Sequence, residues 1–122
     1  MSVLENAQKL QQMMAEGQVM EAFEELYHDD VTVTEMPTGE VRNGKAAQRE
    51  AIVGWFNMVQ EHHGGGIGSI CADEANGVST VESWTDVTFK EGGRMKMQEV
   101  AVQKWQDGQI IDEKFYYHMP SQ

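Results

Sequence analysis

Cysteine is almost absent. The 122-residue chain has one, Cys71, so no disulfide can form within it. That fits a reducing compartment and a cytoplasmic location. Long apolar runs are missing too, and none approaches the ~20 residues that a bilayer-spanning helix needs. The N-terminal stretch MSVLENAQKL lacks a basic start followed by an apolar segment, so a secretory signal is not expected. Basic residues are scarce: nine lysines and arginines stand against twenty acidic residues, for a net charge of −11. A surface this acidic repels phosphate backbones and anionic headgroups, so neither nucleic acid nor a membrane is an expected partner. The four histidines have no metal-ligand spacing. His62 and His63 are adjacent, and His28 and His118 stand alone, so no metal is expected. Gly64-Gly65-Gly66 follows a helical pattern instead of opening one, which excludes a phosphate loop. No cofactor is expected.

The length fits one domain, residues 1–122, and 40% hydrophobic residues suffice for a core. Val3, Ala7, Leu10 and Met14 mark one helix face over 3–15, which Gly17 ends. Val19, Phe23 and Leu26 mark a second over 18–28. The period then changes. Val31-Thr32-Val33-Thr34-Glu35 alternates and is β-branched, which predicts a strand. Pro37 and Gly39 stop it. Asn43 is placed to cap a third helix over 44–61, whose apolar face carries Ile52, Trp55, Phe56 and Val59. His62, His63 and the glycine run end that helix. Asn76-Gly77 and Asp107-Gly108 are dipeptides of two-residue turns. With Glu91-Gly92-Gly93 they predict strands at 67–75, 78–90, 94–106 and 109–118, an antiparallel meander. The sheet's apolar face needs the helices as its cover. The fold class is therefore α+β, with a cavity expected between helices and sheet. The nine methionines suit core gaps or an adaptable pocket wall, with core filling favoured. Cys71 is expected to be a buried strand cysteine.

This order of elements resembles the nuclear transport factor 2-like superfamily, which includes SnoaL-like cyclases and ketosteroid isomerases. Leu26-Tyr27-His28-Asp29-Asp30-Val31-Thr32-Val33 is similar to the family's entry to the first strand. Val41-Arg42-Asn43-Gly44-Lys45-Ala46-Ala47 is similar to its entry to the long helix. Glu99-Val100-Ala101-Val102 through Asp107-Gly108-Gln109-Ile110-Ile111 to Phe115-Tyr116-Tyr117 is similar to its terminal hairpin. The resemblance implies a cystatin-like α+β cone, with three helices packed on a strongly curved antiparallel sheet. It also implies a homodimer through the outer sheet face, where Trp84 stands with Glu82 and Asp86. It covers almost the whole chain, but the fold hosts many activities.

Glu35 falls on the isomerases' proton-shuttling aspartate. It shares a strand face with Val31 and Val33, so an apolar setting would favour its neutral form. The bland alternative is a strand-end glutamate reaching water or pairing with Arg42. The isomerases' two acid donors match Leu10 and Ala101, neither of which can donate a hydrogen bond from its side chain, so isomerisation by that route is not expected. Met95, Met97, Glu99, Ala101, Gln103 and Trp105 share a face, which the resemblance makes the cavity face. Glu99 there would need a partner or a proton. Alternation alone leaves open the opposite arrangement, with Val100 and Val102 inward. If Glu35 and Glu99 share a pocket, they divide acid and base roles. Ile111, Glu113, Phe115 and Tyr117 share a face of the last strand, where Tyr117 is either a ligand donor or ordinary core. Trp55 either lines the cavity floor or fills the core. The expected function is binding of an apolar small molecule at Trp55, Met97, Ala101, Phe115 and Tyr117. Isomerase, cyclase or hydrolase chemistry would use a glutamate base, Glu35 or Glu99. The alternative is a non-catalytic ligand-binding or dimeric interaction domain.

Overall fold

The computed structural model describes residues 2–118. Helix α1 (Val3–Ala15) starts at a capping box: Ser2 accepts from the Glu5 amide, and Glu5 accepts from the Ser2 amide. The Glu74 carboxylate, from a sheet turn, also accepts from the Val3 and Leu4 amides at 2.9 and 3.0 Å. This satisfies two otherwise orphaned donors and ties the helix to the sheet. Helix α2 (Val19–Leu26) follows at once.

Strand β1 (Tyr27–Glu35) begins directly after α2, so the second helix is shorter than the periodicity predicts. Strand β2 (Glu40–Asn43) was not foreseen. It pairs antiparallel with β1, setting Arg42 opposite Val33. Helix α3 (Lys45–Met58) is capped by Gly44, not Asn43. The Asn43 side chain instead faces Thr32, whose hydroxyl lies 3.4 Å away. The Gly44 amide donates to Val31 at 2.7 Å.

The meander comprises β3 (Val59–Asp73), β4 (Val78–Phe89), β5 (Gly93–Gln106) and β6 (Gln109–Tyr117). The six strands run in the order β2-β1-β6-β5-β4-β3. All neighbours are antiparallel except β1 and β6, which are parallel. The sheet is therefore mixed.

Three sequence expectations are corrected along this meander. Residues 59–66, placed at the end of the third helix, are strand. Their glycines make room for Trp84 of β4: a Cβ on Gly66 would lie 2.9 Å from the indole nitrogen, and one on Gly64 3.5 Å from the ring. The Asn76-Gly77 turn is longer than two residues. Only Gly77 takes positive φ, and the Asp73 carboxylate accepts from the Asn76 amide and side chain at 3.3 and 2.7 Å. At Asp107-Gly108 both residues have positive φ, as the two-residue turn requires. A register shift at Lys104–Trp105 sets Ile110, not Ile111, opposite Trp105, so Ile110 is the buried residue.

The core gathers Ala7 and Leu10 from α1, Ala22, Phe23 and Leu26 from α2, Tyr27, Val31 and Val33 from β1, Trp105 from β5 and Ile110 from β6. Burying Leu10, Phe23 or Ile110 stabilises the fold by about 2–3 kcal/mol each. Met13 packs on this core, whereas Met14, predicted to do so, is exposed. Met20 packs on it as well, so methionine fills core gaps at two described positions, though none of the described methionines is fully buried. Met1 and Met119 lie outside those residues. Cys71, expected to be buried, is exposed on β3. No described helix is long and apolar enough to cross a membrane.

Candidate active site on the concave face

Alternation assigns the two faces of β5 without ambiguity. Ala101, Gln103 and Trp105 are buried while Lys104 and Gln106 are exposed. Glu99 therefore points inward, as do Met95 and Met97, and Val100 and Val102 point outward. On β6 the inward residues are Glu113, Phe115 and Tyr117.

Strand register lines these residues up in rows across the concave face. Ser79, Gln103, Glu113 and Val33 form one row. Val81, Ala101, Phe115 and Glu35 form the next. Ser83, Glu99 and Tyr117 form a third. Glu35, Glu99, Ala101, Phe115 and Tyr117 are thus brought together. Met97 follows Glu99 on the same face. Trp55 stands apart, edge-on to Phe89 with ring centroids 5.5 Å apart, at the far end of β4.

Glu35 takes the bland alternative in part. Arg42 donates to its Oε2 at 2.7 Å, and both side chains are largely buried. Arg42 also donates to Glu40 at 2.6 Å and to the buried Gln48 at 2.7 Å. Burial opposes the Arg42 charge, but the hydrogen bonds to Glu35 and Glu40 outweigh it and raise its pKa. Glu35 is thus fixed in an ion pair that α3 holds in place through Gln48.

Glu99 has no such partner. Among the described residues no hydrogen bond reaches its carboxyl. Burial first, and the charge of Glu35 second, push it up to about 7. Near neutrality it is therefore poised to give or take a proton. The Tyr117 hydroxyl is pushed up to about 12, by burial and then by the neighbouring Glu35 carboxylate. It stays a hydrogen-bond donor across the physiological range.

A third carboxyl was missed as a site residue. Glu113 is 1% exposed. Tyr27 donates to its Oε1 at 2.5 Å and Gln103 to its Oε2 at 2.8 Å. Ser79 donates to Gln103 at 3.0 Å, and the Trp105 indole donates to Ser79 at 2.8 Å. Burial pushes Glu113 up to about 7. The hydrogen bonds from Tyr27 and Gln103 work against that, and the charges of Glu99 and Glu35 add to it. The Tyr27 hydroxyl is raised well above its ordinary value by burial and by Glu113. The clue in the sequence was parity: Gln103 lies on the face of Glu99, and Glu113 on that of Tyr117.

Leu10 and Ala101, which the resemblance matches to the isomerases' acid donors, are buried apolar residues. Among the described residues no cluster of ligating side chains could hold a metal. Among the described residues, depressions open to the surface include two that do not lie between helices and sheet. One, of about 280 Å³, is lined by Gly68, Glu82, Trp84, Gln98, Val100 and Tyr116 of the outer face and also reaches Ser83 and Glu99. The other, of about 310 Å³, lies beside Met58 and Phe89.

Comparison with known proteins follows the fold. A candidate SnoaL-like polyketide cyclase from Mesorhizobium loti is 29% identical with a TM-score of 0.85, over 96% of this chain and 100% of that one. A candidate isomerase from Bacillus subtilis is similar in fold, with 17% identity and a TM-score of 0.75 over 93% of this chain and 84% of that one. So is a protein of ketosteroid isomerase-like fold from Catenulispora acidiphila, solved with trimethylamine, at 15% identity and a TM-score of 0.69 over 80% and 74%. No curated protein sequence matches the chain. The model of the SnoaL-like domain matches residues 1–117, and the chain belongs to that family.

Proposed function

We propose that this chain binds a small, largely apolar molecule on the concave face and moves a proton on it without a cofactor. One observation carries the reading: Glu99 is an inward carboxyl with no described hydrogen-bond partner, and it is held at about 7. Glu99 serves as the acid. Glu35, held in place by Arg42 through Oε2, is the fixed carboxylate that acts as base. Tyr117 donates a hydrogen bond to the ligand, and Met97, Ala101 and Phe115 form its apolar bed. Trp55 walls the open end. Enolisation, the proton step common to isomerases and cyclases, is the reaction class this arrangement suits.

The test is hydrogen–deuterium exchange at carbon. A panel of cyclic ketones and β-dicarbonyl compounds is incubated with the protein in D₂O, and label is followed by NMR. We expect exchange with the wild type and at least a tenfold loss in E99Q. Equal exchange in the two proteins would reject the role of Glu99.

The second reading is a non-catalytic binding module, favoured by the apolar Leu10 and Ala101. It predicts ligand retention in native mass spectrometry without exchange. In either case the outer face, with half-buried Trp84 and 43%-exposed Tyr116, is proposed as a homodimer surface. A monomeric mass by light scattering at micromolar concentration would remove that part. The exposed, unpaired thiol of Cys71 accords with a reducing, cytoplasmic setting.

A further inference from the structure

The chain contains two Asn-Gly dipeptides, Asn43-Gly44 and Asn76-Gly77. Asparagine before glycine carries a latent reaction. The glycine amide nitrogen can attack the asparagine side-chain carbonyl carbon, and glycine has no Cβ to hinder the approach. The dipeptide is the same at both places, so the fold decides which of them reacts. At Gly44 the nitrogen is engaged. Its amide donates to the Val31 carbonyl at 2.7 Å, where β1 meets the start of α3. That bond must break before the nitrogen can lose its proton and attack. At Gly77 the nitrogen is not engaged: among the described residues its amide finds no acceptor. Asn76 is exposed, in the turn between β3 and β4. Its side chain is held only by an exposed bond to Asp73 at 2.7 Å, which water replaces at little cost.

The reactive pair is also what this turn requires. Gly77 has a φ of 71°, and a Cβ there would lie 3.2 Å from the Trp105 carbonyl oxygen. The Gly77 carbonyl accepts from the Trp105 amide at 2.8 Å, which ties the turn to β5. Asn76 supplies the donors that the Asp73 carboxylate accepts. Glu74, two residues before Asn76, accepts from the Val3 and Leu4 amides at the start of α1. Residues 74–77 therefore join β3, β4, β5 and α1 at one point.

We propose that Asn76 is a site of spontaneous, enzyme-free modification to aspartate and isoaspartate, that Asn43 is spared, and that the conversion loosens the turn that holds α1. In the first step the Gly77 nitrogen gives its proton to solvent hydroxide and bonds to Asn76 Cγ. The Cγ–Nδ2 bond breaks, and ammonia leaves with a proton taken from water. A cyclic imide remains. In the second step water adds to either ring carbonyl and opens the ring. The sum is asparagine plus water giving acid plus ammonia, and nothing is oxidised or reduced. The product sets an anion where Asp73 Oδ2 had a donor at 2.7 Å, and two carboxylates at that range repel. Isoaspartate also adds a methylene to the main chain of the turn. Glu74 is then no longer held in place under the first amides of α1, the helix that brings Ala7 and Leu10 to the core. The chain thus carries an age-dependent loss of stability, which is independent of any chemistry on the concave face.

The test is peptide mapping by mass spectrometry. The full chain is incubated at mildly alkaline pH, folded and in concentrated urea, and electron-based fragmentation separates isoaspartate from aspartate. In urea the two dipeptides should convert at rates within about threefold of each other, since both are then solvated. In the folded chain Asn76 should convert roughly tenfold or more faster than Asn43, the rate factor implied by one hydrogen bond that must break first. Equal folded rates at the two sites would overturn the proposal. So would a folded Asn76 that stays intact while both sites convert in urea. For the consequence, N76D carries the charge of one product and should melt below the wild type. The double variant D73N/N76D exchanges donor and acceptor and should recover most of that loss. The converted wild-type fraction, isolated by ion exchange, gives the same reading without any substitution. Melting of N76D and of that fraction at the wild-type temperature would reject the link to α1.

Discussion

Raising the pH from about 5 to 8 should weaken this fold, the reverse of what salt-bridged carboxylates produce. Glu113 has a folded pKa of about 7 against an ordinary 4.5. Between those values the folded chain binds the proton more tightly than the unfolded one. Unfolding then releases protons, and stability falls as pH climbs. There is no penalty below about 4.5, and the full penalty is in place above about 7. At ~1.4 kcal/mol per pH unit, Glu113 alone accounts for a loss of about 3 kcal/mol. Glu99 adds less, because part of its surface reaches water. The carboxyls of Glu5, Glu24, Asp73 and Asp86 are lowered by their hydrogen-bond partners and so titrate below this window. The assay is urea unfolding followed by tryptophan fluorescence, at pH 5 and pH 8. E113Q separates the cause: its amide turns a donor toward Tyr27 or Gln103, which costs about 1–3 kcal/mol at every pH, but it abolishes most of the slope. A wild-type stability that is flat or rises between pH 5 and 8 would refute the reasoning.

Further outcomes follow from particular contacts. Gly66→Ala places a Cβ 2.9 Å from the rigid Trp84 indole and should cost about 1–2 kcal/mol. Gly68→Ala meets only the flexible end of Glu82 and should be near neutral, so equal melting temperatures for the two variants would contradict the role given to Trp84. Arg42→Met strands the largely buried Glu35 carboxylate and should cost about 1–3 kcal/mol at pH 8. A variant as stable as the wild type in urea unfolding would contradict the role given to the ion pair.

How much was legible follows the range of the forces involved. Strand alternation and the Asp107-Gly108 turn are local, so the meander's order could be read directly, while its register shifts could not. The end of α3 could not. Gly64-Gly65-Gly66 reads locally as a terminator, and only the Trp84 side chain, from another strand, explains why glycines sit inside a strand. Four-residue β2 is too short for periodicity, yet it brings Arg42 to Glu35. For Glu99 the sequence left both faces of the strand open, and burial of Ala101, Gln103 and Trp105 supplied the side. Glu113 was on the page as part of a face. Its role needed Gln103 and Tyr27, which reach it from two different strands.

The parallel pairing of β1 with β6 has a consequence for how the chain acquires its shape. The last strand in chain order sits in the interior of the sheet, between β1 and β5. During synthesis, β1 and β2 emerge early and must wait for almost the whole chain before their central neighbour exists. Closing that long loop is the slow, entropically costly event expected of a fold rich in non-local contacts. In the interval Val31 and Val33 have an open edge beside them, a hazard for pairing with another chain. Residues 109–117 thus finish the acid-bearing face and seal that edge in a single docking step.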